Sequence, residues 1–310
     1  MTSAPLYSEM ANAPDRGIAQ FVTTPDGTRI RFAIWAGGTR GTVVFLTGRT
    51  EYIEKYGATY GKLVQRGFSV VALDWRGQGL SDRIDGRTDL GDVVRFSDYQ
   101  QDLDAVLNHP DVLALKGPRL LFSHSMGGCI ALRYLLGKHS FKAAVFSAPM
   151  WDLIMPKGTR PVVALLSKIA RAVGLGKLRV PTTNGNFYVT SAEFKDNTLT
   201  SDPDQWEFMR QHIIAKPELG LGGASLRWFR AALDEFKRFK SEKMPDIPTL
   251  VLHGTEESIV LPEAIEQISA RLPNNDLLKF ESARHEIWME TPEIQAKAWK
   301  ATDRFLDALV

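Results

Sequence analysis

From residue 41 onward, short apolar runs alternate with helical stretches, and the alternation breaks off once before it resumes. The runs Gly41–Leu46, Phe68–Leu73, Arg119–Phe122 and Lys142–Phe146 read as buried strands, being short, rich in Val, Leu and Phe, and bounded by turn residues. Between them, Tyr56–Arg66, Phe96–Asn108 and Met126–Leu136 carry apolar residues at helical spacing. Strands that alternate with helices predict a mainly parallel sheet covered on both faces. Two strand-like runs precede this region, Ala19–Thr23 and Thr28–Ala36, joined by the turn Pro25-Asp26-Gly27, which predicts a hairpin. The first 18 residues, polar and interrupted by Pro5 and Pro14, read as a loose arm.

The alternation stops near Pro149. It resumes with strand Thr249–Leu252, helix Pro262–Arg271, strand Asp276–Phe280 and helix Pro292–Leu309. The intervening stretch, 151–244, reads as helices and loops without a clear strand. We expect it to be a helical cap inserted between two parts of one α/β core, 19–150 and 245–310. At 310 residues the chain is long enough for such a core plus an insertion.

Composition narrows the function. With 38 Lys+Arg against 36 Asp+Glu, the chain lacks the basic excess of a nucleic-acid binder. A single cysteine, Cys129, forms no internal disulfide. The start of the chain has no charged-then-apolar leader pattern, and no run of about 18 apolar residues occurs. The expectation is a cytoplasmic protein, with peripheral contact to the inner face of a membrane left open.

The chemistry points to Leu120–Gly128, L-L-F-S-H-S-M-G-G. An apolar strand runs into Ser123-His124-Ser125-Met126-Gly127 and a helix follows, the context of a nucleophile elbow, G-x-S-x-G. Positions two before and two after the serine pass close to neighbouring backbone and must be small. Gly127 fits, and Ser123 stands where glycine is usual. If Ser123 were the nucleophile, the bulky Leu121 would occupy the first of these positions, so Ser125 is the better choice. The Met126 N–H, at the start of the helix, is placed to donate to an oxyanion.

A serine hydroxyl needs a base, and the base an orienting carboxylate. In folds with this elbow the chain order is Ser, acid, His. Of six histidines, only His253 and His285 lie beyond the cap segment. His285 follows the last strand on a loop and is favoured as the base. The loop after Thr249–Leu252 offers Glu256 and Glu257, and on chemistry alone either serves as the acid. Cys129 reads as a small buried thiol without a nucleophilic role. The histidines show no metal-ligand spacing such as H-E-x-x-H, and no cofactor is implied.

These residues resemble the α/β-hydrolase superfamily, and within it the branch of bacterial lysophospholipases and monoacylglycerol lipases. Leu73–Ser81, L-D-W-R-G-Q-G-L-S, is similar to the D-x-R-G-x-G-x-S turn of that branch. Ser123–Gly128 resembles its G-H-S-M-G-G elbow with one change, and Ala283–Glu286 its histidine loop. His253–Val260 resembles H-G-x-x-D-x-I-V with Glu257 in the aspartate position, so the resemblance implies Glu257 over Glu256. The oxyanion loop, usually H-G-x-G-E-H, here reads Thr47-Gly48-Arg49-Thr50-Glu51-Tyr52. The resemblance implies the Arg49 N–H as second oxyanion donor, with Gly48 allowing close backbone approach. The Arg49 side chain is read as solvated or salt-bridged, with a role toward phosphate as the alternative. Asp74, Arg76 and Ser81 are read as structural. The implied activity is cleavage of a carboxylic ester through an acyl-enzyme, on a lysophospholipid or monoacylglycerol. The alternatives are a small-ester carboxylesterase, an aminopeptidase of the same branch, or a non-catalytic ligand binder.

Overall fold

A computed structural model of the protein describes residues 2–181 and 183–309. Its centre is a nine-stranded sheet. The strands are β1 (Thr2–Ser3), β2 (Ile18–Thr23), β3 (Arg29–Trp35), β4 (Gly41–Leu46), β5 (Phe68–Leu73), β6 (Arg119–His124), β7 (Phe141–Ser147), β8 (Thr249–Gly254) and β9 (Asn275–Phe280). Their spatial order is β1-β2-β3-β5-β4-β6-β7-β8-β9. The pairs up to β3–β5 are antiparallel and the remainder parallel.

The period of a strand explains why β4 and β5 are apolar at nearly every position. Successive side chains point to opposite faces, and here both faces are covered. Val44, Leu46, Val71, Leu73 and Leu121 join one core layer, with residues of the helices Phe96–Leu107, Met126–Leu135, Leu226–Phe239 and Pro262–Ser269. Val43, Phe45, Val70, Ala72 and Leu120 join the other, with the helices Gly57–Gln65 and Pro292–Asp307. The expected alternation is therefore present, with element ends differing by one or two residues in most cases. The helix read as Tyr56–Arg66 begins as a tighter turn, Ile53–Tyr56, and becomes α-helical at Gly57.

Two features depart from the sequence reading. The first residues are not a loose arm: Thr2 and Ser3 pair with Phe21 and Gln20, and the Pro14 carbonyl accepts from the Trp35 indole N–H at 3.0 Å. Between the core strands, Gly223–Ala224 forms a two-residue strand beside Leu90–Gly91. Such short pairings carry no sequence period and escape a pattern-based reading.

The segment after β7 holds the helices Thr159–Ala172 and Pro203–Ala215 and leads into Leu226–Phe239. Ser225 caps the last of these by accepting from the Trp228 N–H at 3.0 Å. Its apolar face packs on Thr159–Ala172 and on Phe96–Leu107, with Phe96 and Trp228 ring centres 5.9 Å apart. The loops after β4, β6, β8 and β9 contribute Glu51, Ser125, Ser258 and His285 to one cavity, together with Phe187, Met209 and Phe229 of this segment, so residues distant in sequence converge at the carboxyl edge of the sheet.

Candidate active site

Ser125 sits between β6 and the helix Met126–Leu135 with φ +51° and ψ −118°. This conformation is costly for a residue with a Cβ and persists only where its surroundings enforce it. Its N–H donates to the Ser147 carbonyl, and its own carbonyl accepts from Gly128 and Met150. A Cβ at Gly127 would overlap the carbonyl oxygens of Leu46 and Thr47, which accounts for glycine there. At Ser123 the added hydroxyl is accommodated: it donates to the Val145 carbonyl at 3.3 Å. The departure from the usual elbow sequence thus leaves the turn intact.

His285 and Glu257, on the loops after β9 and β8, meet in a buried hydrogen bond of 2.6 Å between Nδ1 and Glu257 Oε2. The other carboxylate oxygen accepts from the N–H groups of Ile259 and Val260, which fixes the carboxylate plane. Glu256 is exposed, its nearest cation Arg284 being 3.8 Å away. Burial opposes charge on both members of the pair. The His285 imidazole is pushed down by burial, but Glu257, with Glu286 and Glu51 behind it, outweighs this and raises its pKa. Glu257 is pushed up by burial, and His285 and the two backbone donors bring it below its ordinary value. His253, the other histidine after residue 244, bonds back to the Gly254 carbonyl.

The loop after β4 lies against Ser125: a Cβ at Gly48 would stand 3.0 Å from that of Ser125. The loop is clamped on several sides. The Glu51 carboxylate holds the Gly48 N–H, Gln78 bonds the Thr50 N–H and the Gly48 carbonyl, and the Trp75 indole bonds the Thr47 carbonyl. Between these ties the Arg49 N–H has no acceptor among the described residues, and neither does that of Met126. Asp74 supports the same loop, accepting from Ile53 N–H at 2.8 Å and from Leu80 N–H at 2.8 Å, while the Ser81 hydroxyl donates to its carbonyl. Arg76 pairs with Asp102 and Asp26.

Behind the pair lies an ionic cluster that sequence reading missed. The Lys55 ammonium bonds Glu51 at 2.7 Å and Glu286 at 2.5 Å, and the Tyr56 hydroxyl bonds both carboxylates. His124, edge-on to His285 with ring centres 4.7 Å apart, faces the same carboxylates. Glu51, His124 and Glu286 converge closely enough to hold a cation, and the Lys55 ammonium already bonds both acids there. The i,i+4 spacing of Glu51 and Lys55 was visible, but Glu286 comes from the far end of the chain.

Ser125 and His285 line a cavity of about 560 Å³ whose remaining walls are mostly apolar, including Met150, Leu153, Phe187, Met209, Ile213 and Phe229. Arg49 also lines it, half-buried, and forms no salt bridge among the described residues. Its Nη2 donates to the Gly222 carbonyl at 2.6 Å and its guanidinium lies 5.3 Å from the Trp228 ring. Cys129 is buried, and burial holds its thiol well above its ordinary value.

A strained serine, a buried acid–histidine pair and two open N–H groups belong to acyl-transfer chemistry. The sequence model of one family, described as serine aminopeptidase, S33, matches residues 37–292. The chain belongs to that family. As a member of the serine aminopeptidase family it is 27% identical over 270 residues to a probable lysophospholipase L2 of Haemophilus influenzae, covering 86% of this chain and 84% of the relative. It is 26% identical to a monoglyceride lipase of Saccharomyces cerevisiae, covering 91% of each. A solved structure of a soluble variant of the Saccharomyces cerevisiae monoglyceride lipase, in complex with a substrate analog, superposes with a TM-score of 0.74 at 22% identity, covering 94% of this chain and 96% of that one. The family member therefore has the α/β-hydrolase fold.

Proposed function

We propose that the protein is a serine hydrolase of carboxylic esters that carry an acyl chain, a lysophospholipase or monoacylglycerol lipase. His285 takes the proton of Ser125 as the hydroxyl attacks the ester carbonyl. The N–H groups of Arg49 and Met126 receive the oxyanion, and the Glu257 carboxylate holds the imidazole in the tautomer that presents Nε2 to the serine. The protonated imidazole then gives its proton to the leaving alcohol, and water clears the acyl-enzyme. The carrying observation is that Ser125 and His285 open onto one apolar cavity of about 560 Å³, a volume within the usual range for a drug-sized ligand.

An aminopeptidase of the same family needs an unpaired carboxylate for the substrate's α-amino group. The two carboxylates lining this cavity, Glu51 and Glu286, both bond Lys55, which favours the ester. The N-terminal part of the cap also suits a lipid substrate. On helix Thr159–Ala172 the residues Val162, Leu165, Leu166 and Ile169 recur at helical spacing, and each is more than 40% exposed. An apolar stripe with Lys168 and Arg171 beside it fits peripheral contact with a lipid surface. Among the described residues no helix is long and apolar enough to cross a membrane. In this reading the protein works in the cytoplasm and meets the inner face of a membrane from one side.

Hydrolysis of a series of p-nitrophenyl and glyceryl esters tests the proposal. The expected result is a rate that rises with acyl length and falls about 10³-fold or more in Ser125→Ala. Full activity in that variant, or a preference for acetyl esters, contradicts it.

A further inference from the structure

Three cationic groups line the cavity: Lys55, His285 and Arg49. Lys55 is bound by two carboxylates and His285 by one. Arg49 has no carboxylate within ion-pair distance among the described residues, and the residue is half-buried and lines the cavity. Its Nε is buried without a hydrogen-bond partner among those residues, and Nη2 meets only the neutral Gly222 carbonyl. Burial lowers the guanidinium to about 10, which leaves it charged at neutral pH. A half-buried arginine whose Nε is buried without a partner and which has no counter-charge is costly, and its planar donor fork suits an anion with several oxygens. The space is shaped around it as well: a Cβ at Gly91 would stand 2.6 Å from Nη2.

We propose that the Arg49 side chain is the docking point for a phosphate group carried by the substrate, so that the preferred ester is a lysophospholipid rather than a neutral monoacylglycerol. The inference rests on the reading of Ser125 as nucleophile of an ester hydrolase. In that reading the backbone N–H of Arg49 faces the ester carbonyl while its side chain reaches Gly222 in the cavity wall, with Gly91 against its Nη2. A glycerophospholipid presents the same order, with its ester carbonyl separated by the glycerol carbons from its phosphate. One residue thereby contacts both ends of the head region, which couples head-group recognition to oxyanion placement.

The test compares oleoyl lysophosphatidylglycerol with mono-oleoylglycerol in the same mixed detergent micelles, using the full-length protein. The readout is the ratio of the two kcat/KM values, which is insensitive to a loss shared by both substrates. Arg49→Met is expected to lower the ratio at least tenfold, and Arg49→Lys to lower it less, because the charge stays and the fork is lost. Gly91→Ala, which crowds the guanidinium and leaves residue 49 unaltered, is expected to lower the ratio as well, and it carries the test if Arg49→Met does not fold. A ratio unchanged in both Arg49→Met and Gly91→Ala overturns the inference and makes Arg49 a strut between Gly222 and Trp228. Inhibition of mono-oleoylglycerol cleavage distinguishes the source of the phosphate. An ether-linked lysophospholipid should inhibit at concentrations far below inorganic phosphate, and equal potency overturns the head-group assignment. A wild-type protein that cleaves mono-oleoylglycerol and spares the lysophospholipid contradicts this inference alone. One that cleaves neither, nor any p-nitrophenyl ester, contradicts the underlying reading.

Discussion

Burial alone would keep His285 neutral, and the carboxylates around it tip the balance toward the charged form. The sign of that balance sets a pH profile. Only the neutral imidazole accepts the Ser125 proton, so kcat/KM on a water-soluble ester should rise with pH and level off. Its midpoint should lie above the ordinary histidine value of about 6.5. Glu257→Gln removes the nearest negative charge, so the midpoint should move down while the plateau falls by about 10²–10⁴-fold. Glu256→Gln, on an exposed side chain, should leave both unchanged, and the reverse pattern would move the acid to Glu256. At this scale the sequence was partly legible. Two adjacent glutamates are alike in chemistry, and the decision lies in the loop: the N–H groups of Ile259 and Val260 fold back onto one oxygen of Glu257 and leave the other for His285. The Arg49 side chain was misread for a similar reason. A surface-like residue type on a loop gives no local sign that Gly222, 173 positions further on, and Trp228 will pack against it.

Helix Thr159–Ala172 turns one face inward and an apolar stripe outward. Val163, Ser167 and Ala170 are buried, while Val162, Leu165, Leu166 and Ile169 face solvent one or two positions away. A helix that packed only on its own chain would bury the larger of these stripes. Replacing Leu165 and Ile169 together by glutamate should weaken binding to phospholipid vesicles by tenfold or more and slow cleavage of vesicle-borne ester, with little change on a short soluble ester. Equal rates on vesicle and soluble substrates in wild type and variant would remove the stripe from lipid contact. The strands and helices of the core were legible because each carries its own period, 2 or 3.6, over enough residues to stand out. Elements of two residues, such as Thr2–Ser3 and Gly223–Ala224, carry no period, and only their partners make them strands.

Across the molecule, charges join segments that sequence leaves far apart. Arg31 on β3 lies fully buried between Glu54 and Asp74, bonding each at 2.7 Å, and also donates to the Pro5 carbonyl. It thereby ties the first residues, the turn after the Arg49 loop and the Asp74 turn to one strand. Arg31→Met leaves two buried carboxylates without their cation and should cost about 3–5 kcal/mol, read as a lowered denaturant midpoint. A shift of under about 1 kcal/mol would mean that this net contributes little to stability. Networks of this kind stay out of reach of a reading along the chain, because Lys55 and Glu286 are 231 positions apart and meet only when the sheet is assembled. The chain order of Ser125, Glu257 and His285 was readable because each follows a strand that has its own signal, and parallel strands deliver their carboxyl ends to one edge. The most direct test of the account is covalent labelling by a fluorophosphonate probe, with the modified residue located by mass spectrometry. The account predicts one probe per chain, on Ser125, with esterase activity lost in proportion. Labelling at another residue, or full activity in a protein fully labelled at Ser125, would contradict it.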